Sequence, residues 1–200
     1  MSRLTVFLVA LGGLVAASAM ALYFATPDKQ TSYPQRSSGT ALVGGPFELV
    51  AHDGRTVTNL TFEGEFMLIY FGFTYCPDVC PTELQVMAGA LDLLGTDADK
   101  VHPILITIDP ERDTVVTMAQ YVANFHPRLL GLTGTPEQIA TAARAYRVYY
   151  EKVEDPDSNA AYTMDHSSIV FLMAPDGSFL AHFGPGTGPD AMADKIREML

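Results

Sequence analysis

The sequence predicts an α/β domain, a mixed sheet with helices on both faces, and three observations carry that expectation. Phe66–Phe73 (FMLIYFGF) and Val101–Ile108 (VHPILITI) are nearly continuous apolar runs with the length of strands buried on both sides. Segments with helical spacing alternate with these runs. Asp-Gly pairs at Asp53-Gly54 and Asp176-Gly177 interrupt further apolar stretches and mark hairpins.

Each element follows in chain order. Phe47–Glu65 alternates apolar and polar residues around His52-Asp53-Gly54-Arg55, the first hairpin, and Phe66–Phe73 is the central strand. Thr82–Leu94 places Leu84, Met87, Ala88 and Leu91 at helical spacing, with Pro81 and Thr82 at its start. In the second strand, Val101–Ile108, Pro103 belongs near the beginning because it cannot donate to a ladder. Thr114–Phe125 reads as a helix capped by Asp113, Leu129–Thr133 as a short extended segment, and Pro136–Val148 as a helix capped by Thr135. Val170–Phe183 forms the second hairpin around Pro175-Asp176-Gly177, and Pro189–Leu200 closes the chain as an amphipathic helix. No internal repeat interrupts this order.

The N-terminal region has a different composition. Leu4–Ala25 is 22 residues without a formal charge, a length that spans roughly 33 Å as a helix and is enough for a hydrocarbon core of about 30 Å. Residues 1–25 therefore read as a transmembrane anchor. A cleaved signal peptide is the alternative, since Ala17-Ser18-Ala19 and Ala19-Met20-Ala21 offer small-residue sites. Leu22, Tyr23 and Phe24 continue the apolar run past both sites, which favours the anchor. Arg3 predicts a cytoplasmic N-terminus, hence a single-pass inner-membrane protein whose C-terminal domain lies on the exported, periplasmic or equivalent, side. Residues 26–41, rich in Ser, Thr and Pro, read as a flexible tether, and residues 42–200 as one domain. The chain carries 12 Lys plus Arg against 23 Asp plus Glu, a net charge of −11 without a basic run. That balance argues against nucleic acid as a partner.

Cys76 and Cys80 are the only cysteines, in FGFTYCPDVCP (71–81), where the buried strand feeds the helix. Residues four apart share a helix face, and a helix N-terminus stabilises thiolates. Three chemistries fit the pair. A structural bridge would close a loop too small to constrain much of the unfolded chain. A redox couple is possible, although its usual spacing is Cys-x-x-Cys. A soft-metal site would take Cu(I) or zinc but needs a further ligand. Of the five histidines, His52 and His126 lie in turn-like sequence, and His102 and His182 near strand ends, all positions where a solvated or hydrogen-bonded imidazole is the ordinary outcome. His166 stands apart, in the polar cluster Met164-Asp165-His166-Ser167-Ser168 immediately before a buried-looking strand. Met164, two residues earlier, shares a side with His166 if the chain is extended there. The nine methionines form no Met-rich cluster, so packing is the default for each.

FGFTYCPDVCPTEL (71–84), Asp109-Pro110-Glu111-Arg112-Asp113-Thr114, Asp165-His166-Ser167 and the turn Ala174-Pro175-Asp176-Gly177, in this order, resemble the Sco/SenC family of copper-binding cytochrome oxidase assembly proteins. The resemblance runs from about Leu42 to Leu200 and includes the N-terminal anchor. Peroxiredoxins share the strand-to-cysteine pattern but lack the Cys-x-x-x-Cys pair with a later Asp-His. The resemblance implies a thioredoxin-like fold, a three-layer sandwich with a mixed central sheet. It also implies Cys76, Cys80 and His166 as copper ligands, with Tyr75 not required, and a role in building the dinuclear copper centre of an oxidase subunit. Two thiolates and an imidazole suit Cu(I), and with an added weak ligand Cu(II). Asp78 and Asp165 are candidates to orient the imidazole. Arg112 is expected either to pair with Glu111 at the surface or to fix a loop or dock a partner. The expectation is a non-enzymatic copper metallochaperone acting on a copper-accepting oxidase subunit, from an unnamed copper donor. A thiol-disulfide oxidoreductase using Cys76 and Cys80, or a redox sensor, is the alternative, with peroxidase activity a more distant third.

Overall fold

A computed structural model describes residues 42–154 and 161–200. The expected anchor (1–25) and tether (26–41) lie outside the described residues; among those described, no helix is long and apolar enough to cross a membrane. Among the described residues, nine strands and four helices follow one another: β1 (Glu48–Ala51), β2 (Thr56–Thr58), β3 (Phe66–Gly72), α1 (Val79–Leu94), β4 (Val101–Thr107), α2 (Val115–Val122), β5 (Leu130–Thr133), α3 (Pro136–Ala145), β6 (Tyr150–Glu154), β7 (Tyr162–His166), β8 (Val170–Met173), β9 (Phe179–Phe183) and α4 (Pro189–Arg197).

Seven strands form one mixed sheet in the order β2-β1-β5-β4-β3-β8-β9. β3, β4 and β5 run parallel, and β1, β8 and β9 pair antiparallel with their neighbours. The apolar runs predicted to be central are β3 and β4, and Leu68 to Phe71 and Ile104 to Ile106 are fully buried. Pro103 faces Leu68 of β3 one residue before β4 gains β5 as its second neighbour, so β4 is locally an edge where a missing donor is tolerated.

Strand alternation sorts the side chains. Tyr70, Leu105 and Gly131 are register partners on one face, and a Cβ on Gly131 would meet Val122 and Met118 of α2. α1 covers the same face, with Cys80 against Gly72, and α4 lies on α1, where Pro189 approaches Gly89. Phe71 points to the other face, into an aromatic cluster with Tyr146, at the end of α3, and Phe171, at centroid separations of 5.5–6.4 Å. Helices therefore cover both faces of the sheet, giving the expected three layers.

Several boundaries differ from expectation. The first hairpin pairs Glu48–Val50 with Thr56–Thr58, and Asn59–Phe62 is a 3-10 turn rather than strand. α1 begins at Val79, three residues early, which puts Cys80 in its first turn. α2, α3 and α4 end before the residues expected to close them. A separate antiparallel hairpin, β6 with β7, has no counterpart in the expected elements, since both strands are mostly polar, β6 exposed and β7 half-buried.

Asp113 is not the cap of α2. Thr114 is, accepting the amide of Thr117 at 3.2 Å. Asp113 is instead fully buried, and its carboxylate accepts from Thr74 N (3.0 Å), Thr74 Oγ1 (2.6 Å) and Thr107 Oγ1 (2.6 Å). Its carbonyl accepts from Thr133 Oγ1 at 2.6 Å. Burial pushes its carboxyl upward in pKa, with the Thr107 and Thr74 hydrogen bonds opposing. Asp113→Ala strands three donors in the interior and is expected to cost about 2–4 kcal/mol, against about 1 kcal/mol for Thr114→Ala. Urea denaturation of both variants checks this; the reverse order would return Asp113 to a capping role.

Candidate metal centre

β3 delivers the chain to the C-terminal edge of the parallel strands, the edge at which open α/β sheets bind ligands. Beyond it, residues 73–78 form a tight turn, with Cys76 N donating to Phe73 O at 3.3 Å, before α1 starts at Val79. Cys76 is half-buried and lies just ahead of the helix, whereas Cys80 is fully buried within its first turn. Gly72 makes room for the second sulfur. A Cβ there would stand 3.0 Å from Cys80 Sγ and 2.8 Å from the Tyr70 ring.

His166 arrives from the far end of β7, 86 residues beyond Cys80, and its Nε2 lies 3.5 Å from Cys80 Sγ. Its Nδ1 is 3.1 Å from the carbonyl of Ser167. A carbonyl only accepts, so Nδ1 carries a proton and Nε2 is the ring nitrogen that faces the sulfurs. The imidazole packs edge-on against Tyr70 and Phe73, and the Tyr70 hydroxyl lies 3.1 Å from Ser168 Oγ. The ligand atoms of Cys76, Cys80 and His166 all lie within 4.8 Å of one another, the only such group of His, Cys and acidic side chains among the described residues.

The two thiols are electrostatically unequal. The hydrogen bond with the Cys80 thiol, and then those with His166 and the amides of Cys80 and Asp78, pull Cys76 down to about 4 against the opposing effect of burial. The Cys80 amide reaches Cys76 Sγ at 3.3 Å. The same contact with Cys76, reinforced by burial, pushes Cys80 above the ordinary thiol range. Without metal the pair holds one proton, on Cys80, and Cys76 is the thiolate. Neither cysteine is in a disulfide.

The other candidates have local tasks. His52 Nδ1 accepts the Gly131 amide, His126 Nδ1 accepts the Arg128 amide, His102 contacts Glu65, and His182 stacks on Phe179. Asp78 and Asp165 line the cleft beside Cys76 and His166, but the imidazole is oriented by the Ser167 carbonyl. Asp78 acts through its backbone, its amide facing Cys76 and its carbonyl accepting from Thr82. Met164 lines the same cleft, of about 260 Å3. A larger cavity of about 420 Å3, also lined by Met164 and bordered by Arg144 and Tyr150, contains neither cysteine. Glu111 pairs with Lys152, not with Arg112, whose Nε bonds the buried carboxylate of Asp109. Sequence reasoning missed the β6–β7 hairpin that carries His166; the alternation in Tyr150–Glu154 (YEKVE) and Tyr162–His166 (YTMDH) was its signal.

The inequality of the thiols has a measurable consequence. In the reduced, metal-free chain, alkylation of Cys76 by iodoacetamide should slow by less than about two-fold between pH 8 and pH 6, whereas an ordinary thiol slows on the order of 100-fold. Cys80 should resist modification throughout. Mass-spectrometric rates decide, and an ordinary pH profile at Cys76 would contradict the shared-proton description.

Comparison with known proteins agrees with this geometry. The SCO1/SenC family model matches residues 35–200. The Arabidopsis thaliana mitochondrial SCO1 homolog 1 is 45% identical over 161 residues, covering 80% of this chain and 48% of that protein. The human mitochondrial SCO1 homolog is 45% identical over 192 residues, covering 94% of this chain and 62% of its own length. The chain thus spans 48% and 62% of the length of these two relatives. Among solved structures, copper-bound ScoI from Arabidopsis thaliana superposes with a TM-score of 0.73 at 45% identity, over 78% of this chain and 99% of that one. Copper-bound ScoI from Bradyrhizobium japonicum gives 0.73 at 44% identity, over 79% and 99%. The fold is thioredoxin-like, and the chain belongs to the SCO1/SenC family.

Proposed function

We propose that this protein is a membrane-anchored copper metallochaperone that holds copper on Cys76, Cys80 and His166 and passes it to the dinuclear copper centre of a cytochrome oxidase subunit. The observation that carries this reading is the convergence of two sulfurs and an imidazole nitrogen within 4.8 Å. That donor set is soft, suits Cu(I), and accepts Cu(II) with an added weak ligand. The copper-bound relatives at 44–45% identity support it. Residues 1–25 would anchor the protein in the inner membrane and residues 26–41 would tether the domain, 42–200, on the exported side. The mitochondrial designations of the relatives accord with a membrane-associated protein of a respiratory compartment.

The chain's own groups explain how a metal would load and leave. Cys76 is already a thiolate, Nε2 of His166 already faces the sulfurs, and Cys80 is the thiol that must lose a proton. Cys76 and His166 face the open cleft, so an acceptor's sulfur or imidazole can reach the metal from that side while buried Cys80 holds it from below. Ligands would then be exchanged one at a time, and the ion would not pass through water.

A second reading has its own support in the half-exposed Cys76 thiolate backed by a buried thiol. Cys76 would attack a target disulfide and expel one thiolate, and Cys80 would then attack Cys76 Sγ, displacing the second. The target gains two electrons and the pair becomes a disulfide. That disulfide removes both sulfur ligands, so copper binding and thiol exchange exclude each other in any one molecule.

Titration of the reduced chain with Cu(I) is expected to saturate at one copper and to release about one proton per copper at pH 7.5, where two ordinary thiols would release nearly two. His166→Ala should weaken binding by more than the roughly 10–100-fold that loss of an outer-shell partner costs. Copper affinity indifferent to His166, together with rapid exchange of the Cys76–Cys80 pair with disulfide substrates, would replace the chaperone with the oxidoreductase.

A further inference from the structure

We propose that Arg112 is the positioning residue that holds His166 against the cysteines, by stacking one guanidinium between the loop that carries Cys76 and the hairpin that carries His166. The inference rests on the three-ligand reading above.

The need for such a residue follows from topology. β6 and β7 pair only with each other and take no part in the seven-stranded sheet, so no ladder sets where the hairpin lies. Near His166 it is tied to β3 by Ser168 Oγ, 3.1 Å from the Tyr70 hydroxyl. Towards the start of β7, Arg112 holds the hairpin together with the exposed Lys152–Glu111 pair and the Tyr162 hydroxyl on Asp109, and of these it alone also reaches the cysteine loop. Its Nη1 donates to the carbonyl of Tyr162 at 3.0 Å, and its guanidinium carbon lies 3.8 Å from the centroid of the Tyr162 ring. Tyr162 is four residues before His166 on the same strand and, by two-residue alternation, on the same face.

The same guanidinium reaches the cysteine loop. It lies 4.6 Å from the Tyr75 ring and 5.9 Å from the Phe73 ring, the residue before Cys76 and a ring that itself packs on His166. Its own position is set by Nε on the Asp109 carboxylate, which also accepts the Tyr162 hydroxyl at 2.9 Å. Asp109 is 3% exposed and the Arg112 side chain 17%, so this is no solvated surface pair. Nη2 is buried without a hydrogen-bond partner, which suits a group held for its stacking faces as much as for its donors. A planar cation does this; an ammonium has no face to stack.

The test uses the full-length chain in mild detergent, with wild type, Arg112→Leu, Arg112→Lys, His166→Ala and the double variant Arg112→Leu/His166→Ala. Cu(I) affinity by competition and the Cu(II) EPR spectrum are measured for each. Arg112→Leu is expected to weaken Cu(I) about 10–100-fold and to move the EPR spectrum toward that of His166→Ala, and Arg112→Lys should not rescue either. In the His166→Ala background the same change should add less than about two-fold, because its route to the metal is already gone. Wild-type affinity and spectrum in Arg112→Leu, or losses that simply add in the double variant, would overturn the inference while leaving the three-ligand site intact. Indifference of the wild type to His166 would overturn that site, and this inference with it. Should Arg112→Leu fail to fold, Tyr75→Leu, at a 59% exposed side chain, takes its place under the same outcomes.

Discussion

A buried carboxylate joins the segments that meet beneath the candidate metal site. Asp113 accepts two hydrogen bonds from Thr74, just past β3, and one from Thr107, the last residue of β4, while its carbonyl accepts from Thr133, the last residue of β5. A carboxyl group in the interior is costly unless donors meet it, and this one has three. The consequence reaches the chemistry directly, because Thr74 is two residues from Cys76. The turn that presents the first sulfur is anchored to three parallel strands rather than left as a free loop.

The second sulfur obeys a constraint of space. Cys80 sits in the first turn of α1, against the backbone of β3 at Gly72, and any side chain there would displace it. A rigid buried sulfur and a more open one produce the asymmetry of the pair: one proton stays on Cys80 and the negative charge on Cys76, where the amides of Cys80 and Asp78 converge. His166 completes the arrangement with a ring nitrogen whose direction follows from one backbone hydrogen bond. The three donors thus already lie close together, which would lower the reorganisation that loading and release of a metal require.

The strongly apolar strands and the turn residues were legible in the sequence because burial and backbone conformation constrain them locally. β3 and β4 coincide with their apolar runs, and Gly54 and Gly177 both adopt the positive φ that their hairpin turns require. The cysteine pair was legible as chemistry through its spacing and its place before a helix. His166 was legible only as a polar residue at a strand junction, because what brings it to Cys80 is a polar hairpin whose position depends on long-range contacts. Asp113 and Arg112 show the same limit. Each looks like a local device in sequence, a helix cap and a surface pair, yet each acts on residues 39 and 50 positions away. Periodicity does not report such contacts.

The most direct test of the three-ligand site is X-ray absorption at the copper edge of the Cu(I)-loaded protein. The account predicts a three-coordinate ion with two sulfurs and one imidazole nitrogen, the nitrogen disappearing in His166→Ala. A two-coordinate ion bound by sulfur alone in the wild-type protein would contradict it.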